Sequence, residues 1–494
     1  MRRIVLAVTC IGLISLVPFP AKVRGDESAS AAPRLRPSQE TAIEHVDAQA
    51  ETIKGVNKAI WEFAELGLQE HKSSGLLIET LERAGFEVEK GVADMPTAFM
   101  ASYGGGKPII GILAEYDALP GMSQKVVSYR EPVEEGANGH ACGHSGFAAG
   151  SLGAALAVKE ALAKHGIRGT IRLYGTPAEE QGIGKVYMAR AGLFDDLDAC
   201  LSWHPISRNA ANMGSSKAVV SAKFTFHGTP AHASVSPESG RSALDAVELM
   251  NIGANYMREH VSEDTRIHHV ITDGGRAPNV VPPVATVWYY VRGDRHADVE
   301  RNFEWLEKIA EGAALMTQTK HEVRIDSDVH EYVPNLPLAE RIVANMQALG
   351  PPTWTEEEVA FARRLQEPLR EQFGTSFPQA LATGVTPVEP NPPADKGSTD
   401  VGDVSHRVPT GSLGTVCRVY KSPGHSWQNV AVIGSSIGEK GILFASKSLA
   451  ATALDLFEQP RVLAEVKADW RQRMKGRDYV TLIPEGQKAP RSIR

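Results

Sequence analysis

Cys142, His144, Glu179, Glu180, His204 and His425 are the residues of this 494-residue sequence whose types could hold metal ions and move a proton. Cys142 and His144 stand two apart in the glycine-flanked run from Gly139 to His144. Alternate residues of an extended chain face the same side, so both side chains can reach one centre. Thiolate, imidazole and carboxylate together suit zinc or another first-row metal rather than calcium or magnesium, without choosing among them. The same spacing equally admits a packed structural cysteine beside a core histidine. Glu179 and Glu180 follow an apolar run, where a solvated loop is the ordinary reading of two adjacent acids. Beside a metal they would divide the work, one binding the ion and the other taking the proton of an activated water. His204, after Ser202-Trp203, is a further ligand or a core histidine. His425, on the turn Pro423-Gly424, is a ligand or part of an inert loop.

These side chains need elements to carry them. Residues 38–90 read as helical. Pro108–Leu119 reads as an apolar strand ending at Glu115-Tyr116-Asp117, and the small residues of Ser145–Lys164 as a tightly packed buried helix. Thr170–Gly175 and Ala199–Trp203 are short apolar strands that stop at Glu179-Glu180 and at His204-Pro205. Strands alternating with helices imply an α/β domain with a mostly parallel sheet, whose ligands bind beyond the carboxyl ends of the strands. Residues 214–326 have another rhythm. Val220, Ala222, Phe224 and Phe226 alternate with polar residues, and Leu244, Val247, Met250, Ala254 and Met257 keep helical spacing. Strand-like runs at 267–273 and 284–292, a helix carrying Val299, Phe303, Leu306, Ala310 and Ala313, and a strand near 321–328 complete the order βαββαβ. That is a ferredoxin-like sandwich inserted into the α/β domain. The expected division is a catalytic domain at 34–213 and 327–475, the insert at 214–326 and a tail at 476–494; the Pro-rich run 386–393 is a surface loop.

Length and composition fit a multidomain globular protein, with 42% hydrophobic and 22% charged residues. Without a dense basic run and with net charge −7, a nucleic-acid surface is not expected. Met1-Arg2-Arg3 followed by the apolar run Ile4–Val17 reads as a signal peptide over 1–25, too short for a membrane span, which places the mature chain in the periplasm or outside the cell. Residues 1–25 hold four basic residues and no acid, so their removal deepens the charge to −11. Cys142, Cys200 and Cys417 then remain, an odd number, so at least one stays unpaired in the monomer.

At these residues the sequence resembles the peptidase M-twenty family of co-catalytic metallo-enzymes. The resemblance is carried by GILAEYDALPG, GHACGH, RLYGTPAEE, SWHP, GTPAHAS, GRSALDAVELMN, APNVVP, KGSTDVGDVS and SPGHSWQ, which extend from about residue 40 to about 460. It implies two divalent ions, zinc or manganese, bridged by the Cys142 thiolate, with His144, Glu180, His204 and His425 as the other ligands. It further implies Glu179 as general acid/base and Asp117 as the group that orients a ligand. The insert would be a lid and homodimerisation domain. Its His232 would reach the partner subunit's active site to stabilise the oxyanion, and Asn279 and Arg292 would contact substrate. Three positions depart from the family pattern: Ser145, the run Gln181-Gly182-Ile183-Gly184, and His406. All are expected near the site, with Ser145 the first place to look for an unusual substrate preference.

The expected activity is metal-dependent hydrolysis of the amide bond of an N-acyl or aminobenzoyl amino acid, or of a dipeptide-like substrate. The alternatives are a dipeptidase or carboxypeptidase, and a catalytically silent periplasmic binding protein, which would have no need of the base Glu179.

Overall fold

The computed structural model describes residues 34–492 except 375, 376 and 378. The apolar run Ile4–Val17 and the signal peptide read from it lie outside the described residues. The chain opens with helices α1 (Pro37–Ala48), α2 (Ala50–Phe63) and α3 (His71–Arg83), then strands β1 (Glu87–Lys90), β2 (Phe99–Gly105) and β3 (Ile109–Ala114). The helical reading of 38–90 therefore fails at its end, where Glu87–Lys90 pairs antiparallel with β2. Helix α4 (His144–His165), β4 (Gly169–Gly175), α5 (Gly184–Arg190), β5 (Ala199–Ile206) and β6 (Ala210–Ala211) follow.

The insert comprises β7 (Ala218–His227), α6 (Ala243–Met257), β8 (Arg266–Asp273), β9 (Val284–Gly293), α7 (His296–Thr317) and β10 (Lys320–Val329). Its four strands form one antiparallel sheet in the order β10-β7-β9-β8, the βαββαβ arrangement expected from the sequence. Burial alternates residue by residue along β7 from Ala222 to His227, which is why Ala222, Phe224 and Phe226 alternate with polar residues in the sequence. Beyond it come α8 (Leu336–Leu349), α9 (Glu356–Phe373), α10 (Val401–Arg407), β11 (Thr410–Val416), α11 (Trp427–Ile433), α12 (Ser436–Glu458) and α13 (Pro460–Met474).

The larger sheet has the order β1-β2-β4-β3-β5-β11-β6. Its four central strands run parallel and its margins antiparallel. The carboxyl ends of β4, β3 and β5 therefore lie side by side. Helix α4 packs against β3, β4 and β5 and against α1, α2 and α12. Its small residues make that crowding possible: a Cβ added at Gly150 would stand 2.6 Å from the ring of the fully buried Trp203, whose indole N–H donates to the Phe147 carbonyl at 3.0 Å. Overpacking of such a site costs about 1–3 kcal/mol. The sequence expectation of a tightly packed buried helix here holds.

Candidate metal centre and active site

Three neighbouring strand ends supply the acids and one of the histidines. The chain leaves β3 directly into Glu115-Tyr116-Asp117 and leaves β4 through Thr176-Pro177-Ala178 into Glu179-Glu180; β5 carries His204. β5 runs on to Ile206, so His204 lies within its last turn of pleat rather than after it. Cys142 and His144 are not in an extended segment. Gly143 has φ 90°, a left-handed conformation that turns the chain, and His144 is the first residue of α4. The two side chains still converge, by the turn rather than by alternation.

Two non-glycine residues at the site also have positive φ, Ala178 (55°) and His425 (54°). Each such conformation costs about 1–2 kcal/mol and persists only where its surroundings hold it. Glu70 holds the first. Its fully buried carboxyl accepts the Ala178 amide at 2.8 Å and the Thr97 hydroxyl at 3.0 Å, which fixes the turn that aims Glu179 and Glu180. Burial, with the Asp117 charge, pushes the Glu70 carboxyl up to about 8.

Five side chains form two triads that share one atom. The Cys142 sulfur, His144 and His204 offer ligand atoms within 4.8 Å of one another, and so do the Cys142 sulfur, Glu180 and His425. Within them the Cys142 Sγ lies 3.4 Å from His204 Nε2, and His425 Nε2 lies 3.2 Å from a Glu180 oxygen. A third triad joins Glu115, His144 and Glu179, with Glu179 Oε2 at 3.8 Å from His144 Nε2. Asp117 touches no other candidate ligand than His144 and the Glu180 backbone: its carboxylate accepts from His144 Nδ1 at 2.8 Å and from the Glu180 amide at 3.0 Å. It thereby leaves Nε2 of His144 as the free ring nitrogen.

The donor set fits divalent cations. Glu180 Oε1 is buried without a hydrogen-bond partner, and the buried His144 Nε2 and Glu115 Oε2, 3.3 Å apart, have no hydrogen bond, an arrangement that is costly unless another partner takes them. Burial raises the Glu179 carboxyl well above its usual range, reinforced by the Glu115 charge, and raises Glu180 to about 7. Burial also raises the Cys142 thiol, with the Glu180 charge adding to it. Burial alone would lower His144, but the Cys142 sulfur and Asp117 outweigh it and raise its proton affinity. His204 is driven well below the usual value by burial, then by Arg418 and His144, so its ring is a neutral donor. Crowded anions that grip protons this strongly also attract cations.

Sequence reasoning missed the ion-pair network beneath this centre. Lys185, fully buried in α5, lies 2.8 Å from Glu115 and 2.6 Å from Asp400. Burial alone would strip its proton, but Asp400 and then Glu115 outweigh it and keep the ammonium charged. Leaving one of these charges unpaired costs on the order of 3–5 kcal/mol, so the network holds α5, the β3 end and the start of α10 as one unit. Asp400 lies in the KGSTDVGDVS run, but its partner is 215 residues away and spacing along the chain could not reveal it.

A cavity of about 540 Å³ opens over the centre, and Cys142, Glu179, Glu180, His204 and His425 all line it. Arg292 of the insert reaches the same cavity from β9. His232 and Asn279 do not. Both are away from it at another end of the insert, joined there by the Ala233 amide donating to the Asn279 carbonyl at 3.0 Å and by a bridge between His232 and Val280. Of the three departures from the family pattern, Gln181 and Gly182 line the cavity, but two corrections are needed. Ser145 is fully buried in α4 and off the cavity wall, because α4 begins at His144 and turns the next side chain into the core. His406 is likewise away from the site: it bonds the Glu331 carbonyl at 3.0 Å and packs on His330 and Tyr479. Cys200 and Cys417, like Cys142, are free, and both are buried.

Residues 111–322 match Peptidase family M20/M25/M40. The chain is 38% identical over 462 residues to one of the polypeptides of the p-aminobenzoyl-glutamate hydrolase of Escherichia coli (strain K12), covering 89% of this chain and 96% of that protein. It is 28% identical over 470 residues to the Xaa-Arg dipeptidase of Mus musculus, covering 91% and 96%. Among solved structures, a dinuclear metal binding peptidase of Bacillus subtilis shares the fold, with a TM-score of 0.52 at 18% identity over 83% of this chain and 99% of that one.

Proposed function

The chain belongs to the M-twenty peptidase family and is a metal-dependent hydrolase of amide bonds, and from that premise we propose that it cleaves the amide of an N-acyl or aminobenzoyl amino acid. The observation that carries this reading is the pair of triads sharing the Cys142 sulfur. In it, Cys142, His144 and His204 would hold one divalent ion, and Cys142, Glu180 and His425 would hold a second. Zinc and manganese both suit these donors. Bound ions lower the pKa of a coordinated water towards neutrality and polarise a carbonyl oxygen. Glu179, on the cavity wall and high in proton affinity, takes the proton of the attacking water and returns it to the leaving nitrogen.

Substrate orientation falls to Arg292. Its Nε is buried without a hydrogen-bond partner, and its guanidinium packs over the Tyr290 ring at 5.3 Å, so it offers an uncommitted fork of donors to a carboxylate. A substrate whose leaving amine is an amino acid supplies that carboxylate, as in the compound that the Escherichia coli relative is named for.

A second copy of the chain completes the site in this reading, with its insert presenting His232 to the carbonyl oxygen and Asn279 to the substrate. Support comes from the free edge of the smaller sheet. On edge strand β8, Val270 and Ile271 are 53% and 40% exposed, and Val280, beside His232, is 44% exposed. Unpaired apolar edges of this kind are normally covered. The run Ile4–Val17 supports export to the periplasm.

The test is amine release from a panel of p-aminobenzoyl-glutamate, N-acyl amino acids and dipeptides by the metal-reconstituted protein. The expected result is turnover of the acyl or aminobenzoyl amino acids, lost on chelation and at least tenfold faster than any dipeptide. Faster cleavage of dipeptides would assign a dipeptidase instead, and saturable binding without release would assign a binding protein.

A further inference from the structure

Two of the cations at the site differ in their partners. Lys185 faces Glu115 and Asp400, whereas Arg418 makes no ion pair with an aspartate or glutamate among the described residues. Arg418 lies two residues past β11, and its amide, like that of Cys417, donates to the Ile206 carbonyl at the end of β5, two residues beyond His204. From that anchor its guanidinium crosses to Cys142. Nη2 donates to the Cys142 carbonyl at 2.5 Å and stands 3.6 Å from Sγ, while Nε is buried with no partner. The side chain lines the cavity beside His204 and His425. An arginine is an odd neighbour for a centre that collects cations, since its charge repels them. The position is reasonable only if its interaction with the sulfur outweighs that repulsion.

We propose that Arg418 is a positioning residue for the bridging thiolate, fixing the Cys142 backbone and drawing electron density from its sulfur. This rests on the shared-sulfur centre set out above. A charge-assisted hydrogen bond to a ligand makes that ligand a weaker donor and leaves its metal ions more electron-poor. It also holds the half-buried Cys142 just before the Gly143 turn, one residue on from the Ala141 carbonyl that accepts from the Asn429 side-chain amide at 3.2 Å. The same sulfur then serves two ions without over-neutralising either.

Cobalt(II) substitution reads the sulfur directly, through the near-ultraviolet charge-transfer band of a cobalt-bound thiolate. The comparison is the cobalt-loaded full chain against Arg418→Met and Arg418→Lys, with cobalt content measured in each. The expected result is a band shifted to longer wavelength in Arg418→Met, because a thiolate without its cation gives up an electron more easily. Arg418→Lys, which keeps the charge without the fork, shifts less in the same direction, and its shift decides the matter if the methionine variant does not fold. Turnover falls about 10- to 100-fold in Arg418→Met, in kcat rather than KM, and lysine restores most of it. A band present in the parent protein and unmoved in both variants overturns the proposal alone. An unmoved band with KM raised for anionic substrates would overturn it in favour of a substrate-carboxylate ligand. A parent protein that binds cobalt without any sulfur band removes the shared-sulfur centre and this proposal with it.

Discussion

Replacing Glu179 with Gln is expected to leave two metal ions bound and amide hydrolysis lost by about 10²- to 10⁴-fold, the range a positioned acid or base contributes. The geometry separates this residue from the ligands. Glu179 belongs only to the triad with Glu115 and His144, and not to either of those that share Cys142. Its Oε2 stands 3.8 Å from His144 Nε2, close enough to act on a group held at that nitrogen, while Glu180, the next residue, is the one in reach of Cys142 and His425. The variant is not expected to unfold. Glu179 is crowded by the Glu115, Asp400 and Glu180 charges, so an uncharged amide of the same shape relieves repulsion. Metal analysis and amine release on one preparation check the prediction. A metallated protein with unchanged turnover would remove Glu179 from the chemistry, and loss of metal would make it a ligand.

The second large effect is expected at Cys142. Changing it to Ala deletes the one atom common to both triads, so neither retains three donors. The metal affinity should fall by more than the roughly 10- to 100-fold that altering an outer partner costs, and turnover should fall with it. The fold should survive, because Cys142 is half-buried and outside the hydrophobic core. Equilibrium dialysis against a graded series of zinc concentrations, with circular dichroism as the control for folding, measures this. A Cys142→Ala protein that binds two ions as tightly as the parent would make the cysteine a structural residue, the alternative that its spacing alone allowed.

Much of this centre was legible in the sequence because each ligand ends a locally recognisable element. Glu179-Glu180 follow an apolar strand, His204 stands two residues before the end of another, and the glycine-flanked Cys142 and His144 precede a run of small residues. The inserted sandwich was legible for a similar reason, since β7 writes its burial into a period of two from Ala222 on. What failed was local geometry set by one residue and contacts set by none nearby. Gly143 replaces an extended segment with a turn, so alternation along the chain points to the right pair by the wrong path. His406 was expected near the site from its departure from the family pattern, yet α10 packs it onto His330 and Tyr479, off the cavity wall. Lys185, Asp400, Glu70 and Arg418 act through partners far away in sequence or across strand ends, and no periodicity records such pairs. Helix α9 did leave a signal, the capping box of Thr355 and Glu358, ahead of an amphipathic stretch.

The most direct measurement is anomalous scattering from crystals of the zinc-reconstituted protein, which locates each ion relative to Cys142. Two peaks are predicted, one beside His144 and His204 and one beside Glu180 and His425, each at about 2.3 Å from the same sulfur. A single peak, or two peaks with the Cys142 sulfur bound to neither, would contradict a hydrolase built on a shared thiolate.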